Sequence, residues 1–156
     1  MRRGNKKRRE LKPDAKFNSK VVAKFINMVM SKGKKSMAEK IVYGAFEKLK
    51  DKTNEPDALK VFYKALDNAR PRLEVKPRRV GGATYQVPIE VKHDRGVSIA
   101  LRWIRDFADG KKGKPMLEKL ADEIFSAYKG EGACIKKRDD THKMAEANKA
   151  FAHFRW

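Results

Sequence analysis

Sulfur chemistry has almost no foothold in this chain. One cysteine, Cys134, among 156 residues cannot close an internal disulfide and suits a reducing compartment. Histidine is as sparse: His93, His142 and His153 stand apart with no second cysteine, so no zinc spacing exists and no metal is expected. No apolar run approaches the length of a membrane-spanning helix, so no membrane partner is expected. The basic start lacks the apolar segment of a secretory signal, and a cytoplasmic location follows as the expectation. Gly33-Lys34-Lys35-Ser36 looks like the end of a phosphate-binding loop. The position that should hold its earlier glycine is Met28, however, and no strand precedes it, so nucleotide hydrolysis is rejected. Without a glycine-rich cofactor loop or a convergent set of titratable groups, neither an enzyme nor a cofactor is expected.

Negative charge is the other scarcity. Asp and Glu number 20 against 39 Lys and Arg, a net charge of +19, and the distribution says more than the total. Residues 1–35 carry 13 basic and 2 acidic groups, whereas residues 36–69 carry 6 of each and residues 96–135 carry 7 and 6. The surplus lies at the N-terminal end, in residues 70–95 (7 against 3) and in residues 136–156 (6 against 3). Cations clustered on an otherwise balanced body read as a footprint for a polyanion, with nucleic acid as the candidate partner.

What is present is mostly helical periodicity. Residues 1–13 hold Arg2, Arg3, Lys6, Lys7, Arg8, Arg9 and Lys12, with Leu11 the one apolar side chain after Met1. Such a segment cannot bury itself and reads as a basic arm. Val22, Phe25, Ile26, Val29 and Met30 then predict a helix over about 19–32, stopped by Gly33. Ser36-Met37-Ala38-Glu39 reads as a capping box that opens a second helix over about 36–50. Pro56, placed in a first turn, opens a third that Arg70-Pro71 closes. Val97, Ala100, Leu101, Ile104 and Phe107 mark a fourth helix, stopped at Gly110. The link Gly110 to Pro115 reads as a flexible cationic loop, and a fifth helix follows as far as Gly130. A last helical segment, about 135–149, is apolar-poor and crowded with Lys136, Lys137, Arg138, His142, Lys143 and Lys149. It reads as docked at one end and exposed along the other. The expected architecture is mainly α: a bundle of about six helices with one protruding β-hairpin between helices three and four. Residues 1–13 form the arm, 14–134 the helical domain with its hairpin at about 72–92, and 135–156 a basic helix with an aromatic tail.

The hairpin is the exception to the helical pattern and carries Arg72, Lys76, Arg78, Arg79 and Lys92. An isolated two-stranded ribbon is marginal in water, and these cations repel one another unless a polyanion lies alongside. A two-residue Gly81-Gly82 turn would pair Arg78 with Tyr85, Lys76 with Val87 and Glu74 with Ile89, which sets charge beside apolar groups. A three-residue connection through Ala83 instead pairs Val75 with Ile89, Leu73 with Val91 and Pro77 with Val87, and that register is the one expected. Pro77 and Pro88 discourage pairing with another sheet. Tyr85 could stack on bases, and the guanidinium groups could fork onto phosphate.

These residues resemble a known family. Lys76-Pro77-Arg78-Arg79-Val80-Gly81-Gly82-Ala83-Thr84-Tyr85-Gln86-Val87-Pro88, the segment from Phe25-Ile26-Asn27 through Lys34-Lys35-Ser36 to Ile41-Val42-Tyr43, and the end from Met144-Ala145-Glu146 to Phe154-Arg155-Trp156 are similar to the bacterial form of the small-subunit ribosomal protein seven family. The resemblance spans essentially the whole chain. It implies six helices with a ribbon between the third and fourth, and a structural role on the ribosome. It also implies binding to the 3′ major domain of small-subunit ribosomal RNA, nucleation of head assembly, neighbouring head proteins as partners, and a position near the exit-site tRNA and the messenger exit path. By the same resemblance Lys76, Arg78 and Arg79, the arm residues Arg2, Arg3, Lys6, Lys7, Arg8 and Arg9, and Lys34 with Lys35 would grip ribosomal RNA. Gly81, Gly82, Lys136, Lys137, Arg138 and Lys143 would lie near the tRNA.

Several residues admit plainer readings. Trp103 lies between Arg102 and Arg105, outside the main stripe, and reads as sealing a bundle edge, with stacking on a nucleotide as the alternative. Phe151, Phe154 and Trp156 suit either stacking on RNA or a tail folded back on the body. His142, near Asp139 and Asp140, reads as a surface polar group and not as a general base. A helical DNA-compacting protein would share the charge, but no recognition-helix unit or dimer seam stands out.

Overall fold

The first fixed point of the computed structural model, which describes residues 10–154, is a polar staple ahead of the first helix. Asp14 is buried and accepts the backbone N–H groups of Lys16 and Phe17 and the hydroxyl of Tyr43, the last at 2.6 Å. Burial, then the hydrogen bond to Asp14, pushes the Tyr43 phenol up to about 12. Ser19 caps the helix that follows by accepting the N–H of Val22.

The described residues form six α-helices, one hairpin and a C-terminal 3-10 segment: α1 Lys20–Val29, α2 Lys35–Thr53, α3 Ala58–Ala69, β1 Leu73–Val80, β2 Ala83–Glu90, α4 His93–Gly110, α5 Met116–Lys129, α6 Ala133–Ala147 and the 3-10 segment Lys149–Phe154. The mainly helical class and the place of the hairpin agree with the sequence pattern. Apolar stripes at helical spacing converge on one core, in which α5 packs against α2, α3 and α4. Phe25 of α1, Phe46 of α2 and Phe62 of α3 form its centre, with ring centroids 5.4 Å and 5.0 Å apart on either side of Phe62. Each is fully buried, and removing one such ring from water contributes about 1.5–3 kcal/mol. Gly44 lets α2 and α5 approach closely: a Cβ there would meet the side chain of Leu117. Trp103 is half-buried against the core, as the edge-sealing reading expects.

Three local expectations are corrected. The capping box at Ser36 does not form. The turn at Gly33 (φ 75°) delivers the chain into helical geometry at Lys35, so Ser36 lies inside the first turn, and the position before the helix makes no side-chain cap. Glu39 lies 3.8 Å from Lys35 instead of reaching back. At α3 the cap is Asp57, which accepts the N–H of Leu59 at 2.9 Å, and Pro56 precedes the helix. The link 110–115 is tied down, because Lys111 pairs with Glu123 at 2.6 Å and Lys114 with Asp122 at 3.2 Å.

The hairpin register also differs from expectation. Leu73 pairs with Glu90, Glu74 with Ile89, Lys76 with Val87, Arg78 with Tyr85 and Val80 with Ala83, so Gly81-Gly82 is a two-residue turn. Both glycines have positive φ, 56° and 90°. That pair of conformations matches the twist of the flanking strands, and a side chain would resist it. The mixed face survives because it is divided between the strands. The apolar members on β2 are covered, while the charged members on β1 find ionic partners or water.

Candidate nucleic-acid interface

Both faces of the hairpin's base are occupied. Val87 and Pro88, consecutive residues that point to opposite sides, are both buried. On one side Leu73 and Pro88 line a groove with His142 and Ala145 of α6. On the other, the ring of Tyr85 lies 5.2 Å from Phe151 and 5.0 Å from Phe154. The 3-10 segment therefore folds back on β2, which resolves the two readings of Phe151 and Phe154. Tyr85 is spent on that contact and is not a free stacking platform. Trp156 lies outside the described residues.

The neck of the hairpin is braced by charge. Arg95 of α4 forks onto Glu74 at 2.9 Å, and Lys76 lies 3.3 Å from the same carboxylate. Burial works to raise the Glu74 carboxyl, but the hydrogen bonds from Arg95 and Lys76 outweigh it and hold it below the usual carboxylate range. The brace is complete above that range and is lost as pH falls through the lowered value.

Beyond the neck the ribbon is bare. Arg78 and Arg79 are exposed, extend to opposite faces, and have no ionic partner among the described residues. Gly81 and Gly82 have no neighbour within 4 Å of a built Cβ, so the tip stands in open space. Lys34 and Lys35 are exposed in the α1–α2 turn, Lys35 next to Glu39. On α6, Lys136, Lys137 and Lys143 are exposed and unpaired among the described residues. Arg138 differs: it donates to the carbonyl of Asn68 and pairs with Asp139 at 2.6 Å, so its guanidinium is turned into the body. The α6 helix is seated at both ends, by Cys134 and Ile135 and by Ala145, and not at one end as its sequence suggests. His142 likewise is no loose surface group. Its Nε2 accepts the backbone N–H of Arg72 at 2.9 Å.

Arg2, Arg3, Lys6, Lys7, Arg8 and Arg9 lie outside the described residues. The root of their segment is visible: Leu11 lines a cleft with Lys20, Val21 and Lys24 of α1 and His93, Asp94 and Val97 of α4. Lys20, Lys24 and His93 thus adjoin Leu11. No charge run marks them in sequence, because they meet only through the packing of α1 on α4.

No cluster of three or more metal-ligating side chains occurs among the described residues. Burial, followed by the nearby Glu123, pushes the Cys134 thiol far above its ordinary range, so it is no nucleophile. No described helix is long and apolar enough to cross a membrane. A charge-balanced helical body that carries a bare cationic ribbon and a cationic helix face is, as a class, a polyanion-binding scaffold.

Comparison with known proteins makes the class specific. The family described as Ribosomal protein S7p/S5e matches residues 1–149. The Small ribosomal subunit protein uS7 of Thermodesulfovibrio yellowstonii is 59% identical over 155 residues, covering 99% of both chains. That of Thermotoga maritima is 58% identical over 156 residues and the full length of both, and that of Anaeromyxobacter dehalogenans is 57% identical over 155 residues, again 99% of both chains. This chain belongs to the ribosomal protein S7p/S5e family, and it is a structural, non-enzymatic protein.

Proposed function

We propose that the protein binds the 3′ major domain of small-subunit ribosomal RNA, nucleates assembly of the subunit's head, and lies near the exit-site tRNA and the messenger exit path. As a member of its family it is a component of the small ribosomal subunit of the bacterial cytoplasm, in contact with ribosomal RNA and neighbouring proteins. Lys76, Arg78 and Arg79 on the hairpin, Lys34 and Lys35, and the segment from Arg2 to Arg9 grip the ribosomal RNA. The tip glycines Gly81 and Gly82 and the exposed side of α6, through Lys136, Lys137 and Lys143, face the tRNA. Arg138 supports that side from within.

The observation that carries this reading is the bare ribbon. Its base is wedged between α6 and the C-terminal segment, while Arg78 and Arg79 project with no internal partner among the described residues. Phosphate contacts of this kind release counterions and make affinity fall steeply with salt. Filter binding across a salt series therefore tests the proposal, comparing folded small-subunit RNA with duplex DNA of equal length. The RNA is expected to bind more tightly at about 0.2 M salt, and Lys76→Ala/Arg78→Ala/Arg79→Ala to flatten the slope of log K against log salt by about 2, since each phosphate contact contributes about 0.7–0.9. Lys76, already shared with Glu74, is expected to account for the smallest part. Equal affinity for both nucleic acids, or an unchanged slope, overturns the assignment.

A further inference from the structure

We infer that His142 is a positioning residue which fixes the angle of the hairpin against α6, and that it does so only as a neutral imidazole with its proton on Nδ1. The consequence for RNA rests on the reading above, in which ribbon and α6 both face RNA.

The geometry is a two-point clasp. Arg72 is the last residue before β1, and its carbonyl accepts the N–H of Val91 at 2.9 Å, closing the ribbon's open end. Its own N–H is donated to His142 Nε2 at 2.9 Å. One helical turn earlier, Arg138 donates to the carbonyl of Asn68 in the last turn of α3. Residues four apart lie on one face of a helix, so α6 holds both ends of the short segment that launches the ribbon. The ring of His142 also walls off the apolar groove under the hairpin from a polar cleft, since it lines both.

The protonation state follows from the partner. A backbone N–H can only donate, so Nε2 must accept, and a protonated ring would set two donors against each other. The charged surroundings favour the same state. Asp67 of α3 and Arg70 just beyond its end line the polar cleft, with Arg138 and Asp139 from α6 and Arg72 from the neck. Glu90 of β2, Glu146 of α6 and Lys149 line the groove on the other side. Burial first, then the charge of Arg138 and that of Arg72, hold the imidazole below its ordinary value, with Asp139 opposing. The clasp is therefore complete above the usual histidine range and opens as pH falls through the lowered value.

The experiment uses the full chain labelled with 15N. Long-range 1H–15N spectra at pH 7.5 are expected to show the His142 proton on Nδ1, and the Arg72 amide resonance to move as the ring titrates below about 6.5. His142→Gln supplies an amide oxygen near the position of Nε2 that accepts without titrating. His142→Ala supplies nothing. At pH 7.5 the wild type and His142→Gln are expected to bind the RNA equally and His142→Ala about fivefold more weakly, the scale of one hydrogen bond. Lowering the pH through the imidazole titration located in the same spectra is expected to add a loss to the wild type that His142→Gln escapes. A proton on Nε2 at pH 7.5, identical acid responses of wild type and His142→Gln, or undiminished binding by His142→Ala overturns the inference. The spectra do not involve RNA, so failure of the RNA assignment, seen as an unchanged salt slope in the hairpin variant, is distinguishable from failure of the clasp.

Discussion

Glu123 shows what a single residue can do that its neighbours in sequence do not announce. It is 1% exposed in α5, accepts the N–H of Cys134 at 3.3 Å and pairs with Lys111 at 2.6 Å. The start of α6 has no local side-chain cap, because Gly132 stands in the capping position with φ 93°. Glu123 therefore caps α6 from another helix. Lys111 is 41% exposed and Glu123 almost wholly buried, so the two partners are not equivalent. Glu123→Gln keeps an acceptor for Cys134 and leaves a lysine that can reach water, and is expected to cost about 1 kcal/mol. Lys111→Met strands a buried carboxylate and is expected to cost about 2–3 kcal/mol despite removing the more exposed partner. Urea denaturation of both variants checks the order; a larger loss in Glu123→Gln would contradict it. Interactions of this kind were not legible in the chain. The core stripes were, since they depend only on spacing, but Glu123 has partners 11 and 12 residues away across a loop, and nothing local marks it as other than surface. The failure at Ser36 is similar in kind: the capping motif was present, and the turn at Gly33 started the helix two residues too early to use it.

At the scale of the element, the hairpin's existence and its tip could be read, and its register could not. Gly81-Gly82 satisfies either loop length. The choice rested on keeping apolar residues together on one face, which assumes that a face is buried or exposed as a unit. Here the C-terminal segment and α6 cover β2 and the neck from two sides, and β1 keeps its cations outward, so the strands are treated differently and the faces are not. Coverage by residues 149–154 could not be weighed from a pattern confined to residues 72–92. The same contact yields a prediction. Phe151 and Phe154 hold Tyr85 from one side, and aromatic pairs are worth about 0.5–1.5 kcal/mol each beyond their burial. Phe151→Ala/Phe154→Ala is expected to raise the fast backbone motion of residues 80–86, seen as lower 15N order parameters, while the amides of α2, α3 and α5 stay unchanged. Unaltered order parameters in the hairpin would mean that α6 alone holds the ribbon.

For the molecule as a whole, the residues that build the core and the residues proposed to bind RNA are different ones. The core is made by α1 to α5, whose solvent-facing charges largely neutralise one another: Lys48 meets Glu118 at 2.5 Å, and Lys52 and Lys114 share Asp122. The exposed cations proposed to meet RNA on the hairpin and α6, Arg78, Arg79, Lys136, Lys137 and Lys143, lie apart from the aromatic centre at Phe25, Phe46 and Phe62. Charge counting revealed this separation from sequence alone, because a balanced middle between basic ends is a property of composition and needs no contact map. It also sets where a cut can be made. Leu11 lines the cleft against Val21 and Val97, so a deletion that spares the fold should stop before it. Removal of residues 1–9 takes away six cations, Arg2, Arg3, Lys6, Lys7, Arg8 and Arg9, and only Met1 among apolar side chains. Such a truncation is expected to leave the helical circular dichroism and the urea midpoint unchanged. The salt slope of RNA binding should fall by about 0.7–0.9 for every arm residue in phosphate contact, up to about 4–5 if all six are engaged. The two readouts separate the roles cleanly. A lowered midpoint would show that the arm helps hold the fold together, and an unchanged slope would show that its charge does not reach the RNA.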